Sequence, residues 1–172
     1  MKKLEHIFLE INRWIMILLL GAMSIIIFTN VVSRYVTGGS IPWAEEVARH
    51  MMIWLTFIGC GLVLRFGGHI AIENLQDALP TRIAQLLRFI VLLCMLSFFA
   101  VLSYFGYFYV QRTMFQMTAG TEIPFGYIYM AMPVGCVLSI IHAVLIAKDW
   151  VATRTFPTDS EDQFDATASA SL

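Results

Sequence analysis

Charge is what this sequence has least of. Only 13% of its 172 residues are Asp, Glu, Lys or Arg, about half the share of a typical soluble domain, while 59% are hydrophobic and the mean hydropathy is +0.75. There is too little polar surface to clothe a water-facing exterior, so the bilayer has to serve as solvent. Neither sign dominates: the formal net charge is −1, and the basic residues stand singly or in pairs, which argues against a nucleic-acid partner. Cysteine pairs are also missing. Cys60, Cys94 and Cys136 lie far apart in apolar runs, with no CxxC step and no histidine at metal spacing, so a disulfide framework, a zinc site and a quinone-coupled disulfide oxidase all lack their ligands. No catalytic constellation stands out, and neither an enzyme nor a bound cofactor is expected.

What is present is length in apolar runs. Four stretches, Trp14–Val32, Val47–Phe66, Leu86–Val110 and Phe125–Ala147, each approach or exceed the roughly 20 helical residues that cross a hydrocarbon core, and none contains an acidic residue. The expected fold is an all-α integral membrane protein with four transmembrane helices, spanning about 14–35, 43–66, 83–111 and 125–150 within a domain of residues 14–154. The first run is too long for a signal peptide and is not followed by a small-residue cleavage site. Lys2, Lys3, Arg13, Arg65, Arg82, Arg88, Lys148 and Arg154 fall on one side of these spans and only Arg34, Arg49 and Arg112 on the other, which predicts cytoplasmic N- and C-termini. Residues 1–13 place Leu4, Ile7, Phe8 and Ile11 at helical spacing and are expected to form an amphipathic interfacial helix or a plain extension of the first span. Ile72, Leu75 and Leu79 repeat that device in the middle loop, Pro80 ends it, and Thr81 is placed to cap the third span. The Asp/Ser/Thr/Ala-rich tail, residues 155–172, has too few apolar residues to bury and is expected to be disordered and cytoplasmic.

Candidate residues gather at the span ends. Ser40 could cap the second helix, Pro42 suits its first turn, and Glu45 and Glu46 lie where the helix dipole favours them. Arg49 follows Glu45 at i+4 and Glu46 at i+3, so these residues, with Arg34 and the interfacial anchor Trp43, are expected to form an ion-pair cluster joining helix ends rather than an acid/base or cation site. Arg65 and His69 form a second group at the other end of that span, where snorkelling anchors are common. A haem anchor of a respiratory complex is the alternative class. It needs two histidines at matching depth, whereas His50 and His142 lie towards opposite ends of their spans and His69 lies beyond its own. Gly59-Cys60-Gly61, and Ala100, Ser103 and Gly106, offer surfaces for close helix approach, and Pro133 is expected to kink the last span. The polar groups of the spans converge on no pathway.

The order Asn30-Val31-Val32-Ser33-Arg34-Tyr35, Ser40-Ile41-Pro42-Trp43-Ala44-Glu45-Glu46-Val47-Ala48-Arg49, then Trp54, Phe57, Gly59 and Arg65-Phe66-Gly67-Gly68-His69, with Ile123-Pro124 and Pro133-x-Gly135 near the end, resembles the small membrane subunit (DctQ-like, Q subunit) of the TRAP, or tripartite ATP-independent periplasmic, transporters. The resemblance runs from about Trp14 to Lys148. It implies a bacterial cytoplasmic (inner) membrane complex in which a large multi-span subunit carries sodium and an organic acid delivered by a periplasmic substrate-binding protein. In it the small subunit is a static scaffold for an elevator-type carrier, touching membrane lipid and possessing no transport path of its own. By overall likeness a sialic acid comes first as solute and a C4-dicarboxylate second. The resemblance marks Arg34, Trp43, Glu45, Glu46 and Arg49 at one membrane edge and Arg65 and His69 at the other as structural or partner-interface positions. The loops around Ser40 and Glu122 are where a binding protein could touch the chain.

Overall fold

A computed structural model describes residues 2–65 and 80–153, and these are almost wholly helical: α1 (Lys2–Val36), α2 (Ala44–Arg65), α3 (Thr81–Thr113), the short α4 (Phe125–Tyr129) and α5 (Ala131–Thr153). Four segments are long and apolar enough to cross a membrane: His6–Val36, Ala44–Leu64, Arg82–Thr113 and Phe125–Ala147. The last joins α4 to α5. The break at Met130 comes three residues before Pro133, whose missing N–H leaves the Tyr129 carbonyl without its helical donor. His69, the middle-loop turn and the tail beyond residue 153 lie outside the described residues.

The spans form a row one helix thick. α1 packs on α2, α2 on α5 and α5 on α3, and among the described residues no backbone approach within 8 Å joins α1 to α3 or α5, or α2 to α3. The core lies in the α2–α5–α3 part of the row, where Leu64, Leu92, Phe99, Cys136, Ala143 and Ile146 are buried. Close approach of α2 and α5 depends on two glycines. A Cβ on Gly135 would stand 2.5 Å from the Phe57 carbonyl oxygen, and one on Gly61 would stand 2.7 Å from His142 Cδ2. The Gly59–Gly61 step and Gly106 thus serve packing within the chain.

The two end members of the row touch it by narrow stripes. On α1 the more covered residues recur as Asn12, Met16, Leu19, Met23, Ile26, Asn30 and Ser33, alternating steps of four and three that keep one seam on α2. Only Asn12 and Asn30 of that helix are fully buried among the described side chains, and each is a polar tie. The Asn30 Oδ1 accepts the Ile41 N–H at 2.7 Å, fixing the loop into α2. The Asn12 Nδ2 donates to His142 Nε2 at 3.0 Å, while the Phe8 ring lies 4.8 Å from the imidazole. Gly61 leaves room for that imidazole to reach across α2 to α1. Residues 2–13 and the first span are one continuous helix on which Ile7, Ile11 and Trp14 face outward.

Two expected caps are replaced. α2 begins at Ala44, with Trp43 rather than Ser40 at its capping position, its carbonyl accepting from Val47 N–H. Thr81 is the first residue of α3, and the capping position is Pro80, whose carbonyl accepts from the Ile83 and Ala84 amides. Pro80 and Pro42 hold extended or turn geometry just ahead of the helices, and the helices start where that restraint ends.

Candidate partner-contacting site

At one end of the row the loop 37–43 that follows α1 leads into the start of α2, which meets the loop 114–124 that follows α3. Glu46, in the first turn of α2, points its carboxylate at the second of these loops. Its Oε2 accepts the Gly120 N–H at 2.7 Å, and its Oε1 accepts the Thr121 hydroxyl at 2.6 Å and the Thr121 N–H at 3.3 Å.

One hydroxyl chain continues from there. The Thr121 proton is given to Glu46, so the 2.8 Å contact between the Thr118 and Thr121 hydroxyls has Thr118 as donor; Thr118 Oγ1 in turn accepts the Ile123 N–H at 3.0 Å. Each hydroxyl donates once and accepts once, and the chain ends on the carboxylate. The turn is closed by Thr118 N–H on the Ile123 carbonyl and Phe125 N–H on the Gln116 carbonyl. Glu122 at its tip takes a left-handed conformation, φ 54°. Gly120 lets the loop close on this carboxylate: a Cβ there would lie 2.7 Å from Glu46 Oε2 and 3.7 Å from the Trp43 Cα, so a larger residue would have to displace the carboxylate.

The expected ion-pair cluster is corrected by this arrangement. Arg34, Glu45 and Arg49 are exposed, Trp43 is half-exposed, and among the described residues neither arginine comes within 4 Å of Glu45 or Glu46. The reason is competition for one carboxylate. Backbone amides and a short hydroxyl are already positioned, whereas a surface arginine must surrender side-chain freedom for an ion pair of little net worth. Sequence spacing within α2 suggested Arg49; the true partners lie 74 and 75 positions away. The Thr118-x-Gly-Thr121 pattern ahead of Ile123-Pro124 was the available signal, two hydroxyls flanking a glycine in a short interhelical loop. α2 ends at Arg65, at the opposite end of the helix from this cluster, and no set of three His, Cys, Asp or Glu residues that could hold a metal is found among the described residues.

Residues 23–153 match the family model described as tripartite ATP-independent periplasmic transporters, DctQ component. The chain belongs to this family. It is similar to a TRAP transporter small permease protein of Haemophilus influenzae, 28% identical over 148 residues that cover 86% of this chain and 91% of the relative. It is also similar to the ectoine TRAP transporter small permease protein TeaB of Halomonas elongata, 28% identical over 154 residues, 88% of this chain and 76% of TeaB. A third relative is the sialic acid TRAP transporter permease protein SiaT of Haemophilus influenzae, 22% identical over 135 residues, which cover 78% of this chain but 22% of SiaT. Small permeases of Vibrio cholerae named for C4-dicarboxylate and for sialic acid also match. The DctQ-family chain described here is therefore a multi-pass protein of the bacterial cytoplasmic membrane and a small permease component of a TRAP transporter.

Proposed function

We propose that this DctQ-family chain is a static scaffold that widens the fixed part of a sodium-coupled, elevator-type carrier and has no transport path of its own. The observation that carries the reading is the row itself. Among the described residues the backbone of α1 approaches only α2 and that of α3 only the last span, and the buried polar groups of α1, Asn12 and Asn30, end on single ties to His142 and Ile41 rather than lining a route. The large remainder of SiaT beyond the region similar to this chain supports a large multi-span permease as the partner.

The chain's termini lie in the cytoplasm by its distribution of Lys and Arg, so the Glu46 cluster faces the periplasm. There Arg34, Trp43, Glu45 and Arg49, together with loop 114–124 tied down by Glu46, form the surface offered to the large subunit or to a periplasmic substrate-binding protein. Arg65 and His69 serve as boundary anchors at the cytoplasmic side. The solute is a small carboxylate-bearing compound. Sialic acid is one member of that class and C4-dicarboxylate another; relatives of comparable identity are named for different solutes, and selectivity resides in the other two components.

Tagging this chain, expressing it with neighbouring genes and extracting it gently tests the reading. Recovery of one large polytopic partner supports it; recovery of flavin or iron–sulfur subunits with a haem absorbance band makes it a redox anchor instead.

A further inference from the structure

The half of α3 nearest loop 114–124 carries a concentration of aromatic residues, Tyr104, Phe105, Tyr107, Phe108 and Tyr109, each between 44% and 64% exposed. Four of them, Tyr104, Phe105, Phe108 and Tyr109, line an open groove of about 570 Å³ that extends along the helix from Leu102 to Arg112. A water molecule occupies about 30 Å³ of liquid, so the groove suits something far larger. Its floor exists because Gly106 has no side chain: α5 comes up beneath it, and a Cβ would lie 3.0 Å from Met132 Sδ.

Three features define the occupant. Arg112, next to the last residue of α3, is exposed and has no hydrogen bond or ion pair among the described residues. A guanidinium at a span end sits at headgroup level, because placing it deeper in hydrocarbon is costly. From Arg112 down to Leu102 is ten helical residues, about 15 Å, which is half of the roughly 30 Å hydrocarbon core. The groove therefore runs from headgroup depth to the bilayer midplane with a cation at its polar end and aromatic walls along its length. That is the length and charge pattern of one leaflet's phospholipid.

We propose that this groove binds a single glycerophospholipid, one acyl chain lying against Met132 between the aromatic side chains and the phosphate held by Arg112. The site goes beyond the scaffold reading and does not depend on it, since it is complete within this chain whichever leaflet it faces. Arg112 supplies the charge-assisted hydrogen bonds, and Met132, brought close by Gly106, supplies the floor.

The test uses the full chain, alone and co-purified with its large partner, in bilayer discs containing phosphatidylethanolamine with a diazirine on one acyl chain. Irradiation is expected to label the 102–112 segment and Met132. Arg112→Gln lowers the yield roughly tenfold, the order expected for losing a hydrogen bond to a charged group, while Arg112→Lys retains most of it. Diacylglycerol bearing the same chain, which lacks the phosphate, labels wild type and Arg112→Gln equally weakly. Thermal unfolding of Arg112→Gln stays at the wild-type midpoint, which separates loss of lipid from loss of fold. Undiminished labelling of Arg112→Gln, or equal labelling of wild type by diacylglycerol, overturns the proposal. So does transfer of the label to the large subunit in the complex, which would make the groove a protein contact.

Discussion

Breaking the tie between Asn12 and His142 should loosen α1 from the row by a measurable and isolable amount. His142 has no exposed surface and Asn12 is 3% exposed, so no water stands ready to replace the 3.0 Å hydrogen bond between them. Removing one partner of a buried hydrogen bond costs about 1–3 kcal/mol. In membrane proteins much of that is recovered by rearrangement, and measured couplings average about 0.6 kcal/mol with a maximum near 1.7. The complete burial puts this pair in the upper part of that range, about 1–1.5 kcal/mol. Because His142 also meets Phe8 and the space over Gly61, its single substitution mixes several losses, and only a cycle separates them. Asn12→Ala, His142→Ala and the double variant are unfolded thermally in the same detergent. Each kcal/mol moves the midpoint of a chain this size by about 2–4 °C. The double variant should lie closer to the wild type than the summed singles by about 2–6 °C, the coupling expressed as temperature. Strict additivity would refute the reasoning, leaving α1 held by its apolar seam and the Asn30–Ile41 tie.

Other expectations follow from the same geometry. Gly135→Leu should destabilise the α2–α5 contact by at least the 1–3 kcal/mol typical of overpacking, read as a lowered unfolding midpoint, because its Cβ meets the Phe57 backbone rather than a movable side chain; an unchanged midpoint contradicts the close approach. Glu46→Ala should speed hydrogen exchange at the Gly120 and Thr121 amides while α5 amides stay protected, and equal exchange in both variants contradicts the latch. Glu46→Lys should not be rescued by Arg49→Glu or Arg34→Glu, since neither arginine holds the carboxylate; restoration of assembly by either would reinstate the ion-pair cluster. Thr121→Ser should behave as wild type, and Thr121→Val should speed exchange at the Gly120 and Thr121 amides less than Glu46→Ala does, because it removes the hydroxyl bond and leaves both amides on the carboxylate; equal acceleration by Thr121→Val and Glu46→Ala contradicts this.

The spans were readable in the sequence because a hydrocarbon core imposes one coarse requirement, a sufficient apolar length, and four runs meet it. Their order in the row was not. A membrane helix need hide only the stripe its neighbour covers, and on α3 the stripe Ala84, Arg88, Leu92, Phe99, Gly106, Val110 and Thr113 is bordered by residues just as apolar but facing outward. The second-helix start was nearly legible, since Pro42 and the two glutamates signal it, but Trp43 rather than Ser40 stands at its cap. Glu46 was recognised as important for its position and given the wrong partner, because i+3 spacing is visible in a sequence and a loop 74 residues on is not. In the sequence His142 stands out only as a candidate haem ligand. Its role in tying α1 to α5 depends on Gly61 lying beneath the imidazole, a juxtaposition that only the fold supplies.

The most direct test of the scaffold reading is solute uptake by sealed vesicles holding this chain alone, its large partner alone, or both, each with the periplasmic binding protein and an inward sodium gradient. The account predicts no uptake from the chain alone and sodium-dependent uptake only from the pair. Uptake by vesicles containing this chain and no large subunit would contradict it.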